Sequence, residues 1–231
     1  MNFNTVVALF SGVLAGVIHA LTGPDHVAAL APFFTEQRIK SWLIGLKWGI
    51  GHSSGVWILG ILVFFLRQLI PVDLLSSWGE RLVGITLIGL GIWSAHRGLR
   101  NRVHSHTHIH DGSEHVHFHI HHPHEAPHDG MRVPHSHRHA PVGIGILHGL
   151  AGSSHLFGIL PALAFSTSAE TVGYLLGFGF GAILGMTAFS TLLGKLVHQL
   201  MNRSQAAYQI VQFSVSSLAI LVGIFWISIT F

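Results

Sequence analysis

Six apolar runs, at about residues 4–33, 41–66, 78–97, 142–165, 170–197 and 207–230, dominate the chain. Each reaches the roughly 20 residues that a helix needs to cross about 30 Å of hydrocarbon. The pattern therefore predicts an all-α polytopic membrane protein with six transmembrane helices. Residues 101–141 interrupt it with a polar, Pro-containing, low-complexity stretch. The expected organisation is a three-helix half at 1–100, a loop at 101–141 and a second three-helix half at 142–231.

A few ionisable residues lie inside these runs. The first run contains Ile18-His19-Ala20-Leu21-Thr22-Gly23-Pro24-Asp25-His26. A lipid-facing Asp at mid-membrane costs about 2.5–3.5 kcal/mol on insertion scales, so such residues are expected to face a protein interior or a water-filled path. His19 and His26 are seven residues apart, which on an ideal helix is about 20° in azimuth and roughly 10.5 Å in height. A single ion bound at about 2 Å bridges that height only if the helix deforms. Gly23-Pro24 provides a break, because Pro24 has no N–H for the Ala20 carbonyl and its ring clashes there. In an unbroken helix Asp25 points about 120° away from His19, so the break is also what would bring Asp25 to the histidines.

The fourth run repeats this pattern. Gly16–Pro32 beside Gly145–Pro161, without a gap, gives six identities in seventeen positions and matches His19 with His148 and His26 with His155. Ser153-Ser154 stand where the first motif has Pro24-Asp25, so the paired motifs hold one carboxylate between them. A weaker echo sets Gly45–Gly49 beside Gly177–Gly181. With three helices per half, the second half enters the membrane from the opposite side, and the expectation is two inverted three-helix repeats. Inverted repeats are common in secondary transporters, with the site at the repeat interface among broken helices. His52, in Gly49-Ile50-Gly51-His52-Ser53-Ser54-Gly55, is a further candidate whose small neighbours permit close helix approach. The candidate ligands are thus His19, Asp25, His26, His52, His148 and His155, with Gly23 and Pro24 as the break. This nitrogen-rich, sulfur-free set suits divalent transition ions and not Cu(I), Mg or Ca.

Composition agrees with a membrane chain. Charged residues are 9% and hydrophobic residues 49%, with mean hydropathy +0.54, against about 25% charged in soluble domains. The 27 glycines suit closely packed membrane helices. The absence of Cys excludes disulfides and thiolate ligands. The formal charge of +3 reflects topology and not nucleic-acid binding. Loops after the first, third and fifth spans share Arg38, Lys40, Arg97, Arg100, Arg102, Arg132, Arg138, Lys195 and Arg203, whereas the other side has Arg67 and Arg81. The positive-inside rule then places the central loop in the cytoplasm and both termini outside. No basic segment precedes the first run, so it is expected to be a retained helix of a multi-pass protein in a bacterial-type plasma membrane. Among the remaining polar and aromatic residues, His96 and His198 are expected at the interface, Met186 and Thr187 in packing, and Lys47 snorkelling to the cytoplasmic face. Trp42, Trp78 and Trp93 fit interfacial anchors.

Fourteen of the 21 histidines fall in 101–141. His104, His106, His108 and His110 alternate in one tract, and His115, His117, His119 and His121 in another that ends with His122. An extended chain places such residues along one face. Free of metal, the segment is expected to be disordered. These nine histidines are candidate loop ligands for buffering, sensing or delivering metal.

The His19–His26 motif, the second His-Gly-x-x-Gly-x-x-His-type motif and the His-rich loop together resemble the nickel/cobalt transporter superfamily. The likeness is to its compact branch of nickel/cobalt efflux and urease-accessory UreH-like membrane proteins. Permeases of the superfamily show His-x4-Asp-His, whereas five residues separate His19 from Asp25 here. The resemblance implies transport of Ni2+ or Co2+, with His19, Asp25 and His26 as ligands. The ion is then cargo, and no permanently bound cofactor is expected. Expected partners are the ion, the lipid bilayer and a cytoplasmic metallochaperone or metalloenzyme maturation factor, with no nucleic acid. Zinc, iron or manganese is an alternative cargo, and a membrane metalloenzyme or haem protein an alternative class.

Overall fold

The computed structural model describes residues 2–35, 40–66, 72–100, 102–110, 113–121, 139–151, 161–162 and 164–230, with backbone alone for 62–66, 72–76 and the two strands. The first apolar run is two helices, α1 (Phe3–Thr22) and α2 (Pro24–Phe34), separated by Gly23 in an extended conformation. There follow α3 (Ser41–Leu66), α4 (Val72–Arg100), α5 (Ala140–Leu150), α6 (Ser168–Met201) and α7 (Gln205–Ile229). Side-chain caps start several of them. Asn2 accepts from the Thr5 N–H at 2.9 Å, Thr167 from the Glu170 N–H at 3.3 Å and Ser204 from the Ala207 N–H at 3.0 Å, each satisfying an N–H that the helix itself leaves unpaired.

Among the described residues, four helices are long and apolar enough to cross a membrane: Phe3–Thr22, Ser77–Arg100, Ser168–Met201 and Gln205–Ile229. Their burial is inverted relative to a soluble bundle. In α1 the buried positions are Thr5, Ala8, Gly12, Gly16 and Ala20, while Phe3, Val7, Phe10, Leu14 and Ile18 point outward. In α7, Gln212 and Ser216 are buried while Ile210, Leu221, Ile224 and Phe225 are exposed. Apolar patches this continuous are not left facing water, and small inward residues are the means by which membrane helices approach closely. The chain is a helical membrane protein.

Backbone contacts arrange the helices in pairs. Gly12 and Gly16 of α1 press on the backbone of Tyr174, Phe178 and Ala182 in α6, and Gly177, Gly181 and Gly185 meet Leu9, Val13 and Val17 in return. Residue numbers rise together, so α1 and α6 run parallel. The same holds for α3 and α5: Gly51 meets Val142, Gly55 meets Ile146 and Gly149, and Gly145 and Gly149 meet Trp48 and His52. The two pairs join where α3 crosses α6 antiparallel, with the Ser53 hydroxyl donating to the Gly179 carbonyl at 2.8 Å and the Trp57 indole to the Leu175 carbonyl at 2.9 Å. Helix α4 lies antiparallel on α7, Gly84 against Gly223 and Gly91 against Ser216, and Gln212 Nε2 donates to the Ser94 carbonyl at 2.7 Å. Short α2 is buried nearly all round. Its Ala28, Ala29, Leu30 and Phe33 join Ile44, Trp48, Leu87 and Met186 in the main core.

In the fourth apolar run α5 ends at Leu150, where Ala151 turns extended and its N–H caps the His148 carbonyl at 3.2 Å; residues 152–160 of that run lie outside the described residues. One sequence expectation changes. In the His-rich segment, expected to be disordered, β1 (Arg102–His110) and β2 (Ser113–His121) form an antiparallel hairpin. Its register sets His104 opposite His119, His106 opposite His117 and His108 opposite His115. The physical reason lies in the sequence. Two tracts of strict two-residue alternation flank Asp111-Gly112, the dipeptide that most strongly favours a two-residue hairpin loop, and compositional bias masked that local signal. His122 lies outside the described residues.

Candidate metal centre

The break at Gly23 builds the site. The Gly23 N–H still closes the last turn of α1 on the His19 carbonyl at 3.3 Å, and the His26 N–H opens α2 on the Gly23 carbonyl at 3.2 Å. Pro24 sits at the first turn of α2, where its missing N–H and fixed φ are tolerated. One acceptor is thereby orphaned, the Ala20 carbonyl that residue 24 would normally serve. His26 Nδ1 reaches it at 3.3 Å. A carbonyl only accepts, so Nδ1 carries the proton and Nε2 the lone pair. An imidazole held in this way is oriented for a metal. Gly23 also makes room: a Cβ there would lie 2.5 Å from His26 Nδ1 and 2.9 Å from Asp25 Oδ1.

Three helices bring the imidazoles together. One ring nitrogen from each of His19, His26 and His52 lies within 4.8 Å of the other two. The rings stand close, with centroids 4.9 Å apart for His19 and His26, 5.5 Å for His19 and His52, and 5.2 Å for His26 and His52. His26, His52 and His148 are all 0% exposed, and His19 is partly buried. Asp25, 5% exposed, lies beside this group, its Oδ2 3.8 Å from His26 Nε2 and 3.6 Å from His148 Nε2. Burying a carboxylate among imidazoles is costly without compensating positive charge. A cation at this cluster would provide it.

Of the six expected ligands, the structure thus brings His19, His26 and His52 into one group and Asp25 and His148 alongside it; His155 lies outside the described residues. The break places Asp25 beside the histidines, in the first turn of α2. Sequence reasoning missed Trp48, whose ring packs against His26, His52 and His148. The signal was present, since Trp48 lies four residues before His52 and therefore on the same helix face.

Fold and site together define a helical membrane protein with a buried His/Asp cluster at a broken helix. The chain belongs to the UreH-like branch of the nickel/cobalt transporter superfamily. It is 36% identical over 186 residues to the urease accessory protein UreH of Bacillus sp. (strain TB-90), covering 79% of this chain and 74% of the relative. It is 31% identical over 107 residues to a Methanocaldococcus jannaschii protein whose name proposes a nickel/cobalt efflux system, covering 45% and 48%. An Arabidopsis thaliana relative, Chloroplast protein FOR GROWTH AND FERTILITY 2, is 27% identical over 226 residues; the chain aligns over 97% of its own length but spans only 57% of that protein. No family model matches the chain. No solved structure matches it either.

Proposed function

We propose that the protein carries a divalent transition ion, Ni2+ or Co2+, across the membrane by alternating access, with His19, Asp25, His26, His52 and His148 as its intramembrane site. The observation that carries the reading is the convergence of three imidazoles from α1, α2 and α3, two buried and one partly buried, within 4.8 Å, beside one carboxylate. A tetrahedral ion with bonds of about 2.0–2.1 Å sets its ligands about 3.4 Å apart, so closing the cluster by little more than an ångström seats the ion. All-imidazole ligation with a nearby carboxylate favours borderline divalent ions. The names of the UreH and efflux relatives point the same way.

Six spans in two inverted repeats account for the contacts. A two-fold axis in the membrane plane would exchange α1 with α5, α3 with α6 and α4 with α7. It would turn the parallel pair of α1 and α6 into the parallel pair of α5 and α3, and it would require α3 and α6 to cross antiparallel. The glycine contacts support this, with Gly181 on Val13 matching Gly51 on Val142, and Gly185 on Val17 matching Gly55 on Ile146. The register they favour is two residues away from the Gly45–Gly49 and Gly177–Gly181 echo. The repeat also equates His155 with His26, which makes it a sixth candidate ligand.

Alternating access follows from the pairing. Each tight pair packs backbone against backbone through glycines of both helices, so it moves as a unit, whereas at the α3–α6 seam Gly45 and Gly49 of α3 meet the Met186 and Ile183 backbone while Ser53 and Trp57 add side-chain hydrogen bonds. His19 belongs to one pair, His52 and His148 to the other, and α2 brings Asp25 and His26 between them. A rocking motion at the seam then changes the side from which the cluster is reached. The hairpin and the rest of 101–141, cytoplasmic under the positive-inside rule, buffer or hand over the ion. Radiometal flux in proteoliposomes of known orientation, with Ni, Co, Zn, Mn and Fe, tests the function and its direction. Asp25→Asn and His26→Ala are expected to abolish flux while leaving the fold intact, and undiminished flux in both would overturn the site.

A further inference from the structure

Trp48 is the largest fully buried side chain among the described residues. It stands between two environments. On one side it joins the apolar core with Ile44, Leu30 and Met186. On the other it meets three histidines of the cluster. Its ring lies flat on His52, with centroids 4.8 Å apart and planes at 10°. It meets His26 edge-on at 5.1 Å and 66°, and His148 at 5.4 Å and 57°. The indole Nε1 has no hydrogen-bond partner among the described residues, so the ring faces and edges, not the N–H, carry its contacts.

Building on the proposed ion site, we propose that Trp48 is its positioning residue: a wall that fixes the ring planes of His52, His26 and His148 without ligating the ion. An indole offers no lone pair for a metal, which excludes direct ligation. Orientation is the role left. Rotation of an imidazole about its terminal torsion is broad and weakly preferred, so the ring plane of a buried His is set by what it touches. The flat contact with Trp48 removes that freedom at His52, and the edge contacts limit it at His26 and His148. Trp48 also lies one turn from His52 on the same helix, so wall and imidazole move together when α3 moves. The His52 and His148 side of the site would then keep its shape through the transport cycle.

The test uses the purified full-length protein in detergent with Co2+ alone as probe, because Co2+ ligand-field bands report ligand geometry directly. Trp48→Leu and Trp48→Met remove the ring while retaining apolar bulk, and either one suffices if the other fails to fold as judged by thermal melting. Trp48→Phe restores a flat ring. The expected result is a roughly 10–100-fold loss of Co2+ affinity in the Leu and Met variants, as found when groups that orient metal ligands are removed, with shifted visible bands. The Phe variant recovers most of the affinity and the wild-type bands. Unchanged affinity and bands in the Leu and Met variants, or an equal loss in the Phe variant, would overturn the positioning role. Wild-type Co2+ affinity and bands that stay unchanged in Asp25→Asn would instead overturn the ion site on which the inference rests.

Discussion

The proton on His26 Nδ1 is held by the carbonyl of Ala20, 3.3 Å away across the helix break. Pro24 leaves that carbonyl without its helical partner, and the imidazole two residues further on takes the place of the missing N–H. One covalent feature of the backbone thus orients a ligand. Replacing Pro24 with Ala returns an N–H that competes for Ala20 and allows α1 to run into α2. The expected outcome is at least a tenfold loss of Co2+ or Ni2+ affinity with helix content unchanged, read by isothermal titration and far-ultraviolet circular dichroism. Wild-type affinity in Pro24→Ala would remove the orienting role of the break.

Gly23 is needed for space and not for an unusual backbone angle, since its φ of −74° is open to any residue. A methyl group there meets His26 Nδ1 and Asp25 Oδ1 at 2.5 and 2.9 Å. Gly23→Ala should therefore displace both side chains and abolish metal flux, while stability, read by thermal melting, falls by the modest amount typical of local overpacking, about 1–3 kcal/mol. Flux at the wild-type rate would show that the two groups relax without consequence.

Asp25 faces two imidazoles from different helices at 3.8 and 3.6 Å. Asp25→Asn preserves its shape and removes its charge. In the metal-free protein the melting temperature is expected to stay within a few degrees of wild type, because an amide is cheaper to bury than a carboxylate. Metal binding at the membrane site is expected to be lost, leaving only the ions held by the His-rich loop. A large loss of metal-free stability would assign Asp25 a structural role instead.

The helix pairs make a separate prediction. A Cβ at Gly149 would overlap the His52 carbonyl, whereas one at Gly89 meets nothing within 4 Å. Gly149→Ala is expected to cost about 1–3 kcal/mol through overpacking and to impair flux by pushing α5 away from His52. Gly89→Ala should be neutral or stabilising by up to about 1 kcal/mol, the helix-propensity difference. Thermal unfolding of both variants in the same detergent checks the contrast, and equal effects would argue against the close α3–α5 contact.

Deleting residues 104–139 is expected to leave flux through the membrane site and to lower the number of Ni2+ ions bound per protein at equilibrium. Loss of flux would move the essential chemistry from the helices to the loop.

Much of this was legible in the residues themselves. The apolar runs bounded α1 to α4, α6 and α7 to within six residues, because covering hydrocarbon demands long stretches without charge. Gly23-Pro24 announced the break, because proline has no N–H to continue a helix. The rarity of intramembrane ionisable groups singled out His19, Asp25, His26, His52 and His148. Tertiary structure alone decided which of these meet. His19, His26 and His52 form the close group, His148 lies beside Asp25 and His26, and Trp48 walls three of the rings. The reason is physical. In a soluble helix the apolar face reveals what packs inward, but lipid and protein interior are equally apolar, so the sequence of α3 carries little information about its neighbours. Only the backbone contacts at Gly51, Gly55, Gly145 and Gly149 show that α3 lies parallel to α5, and it is that contact which carries His148 to the site.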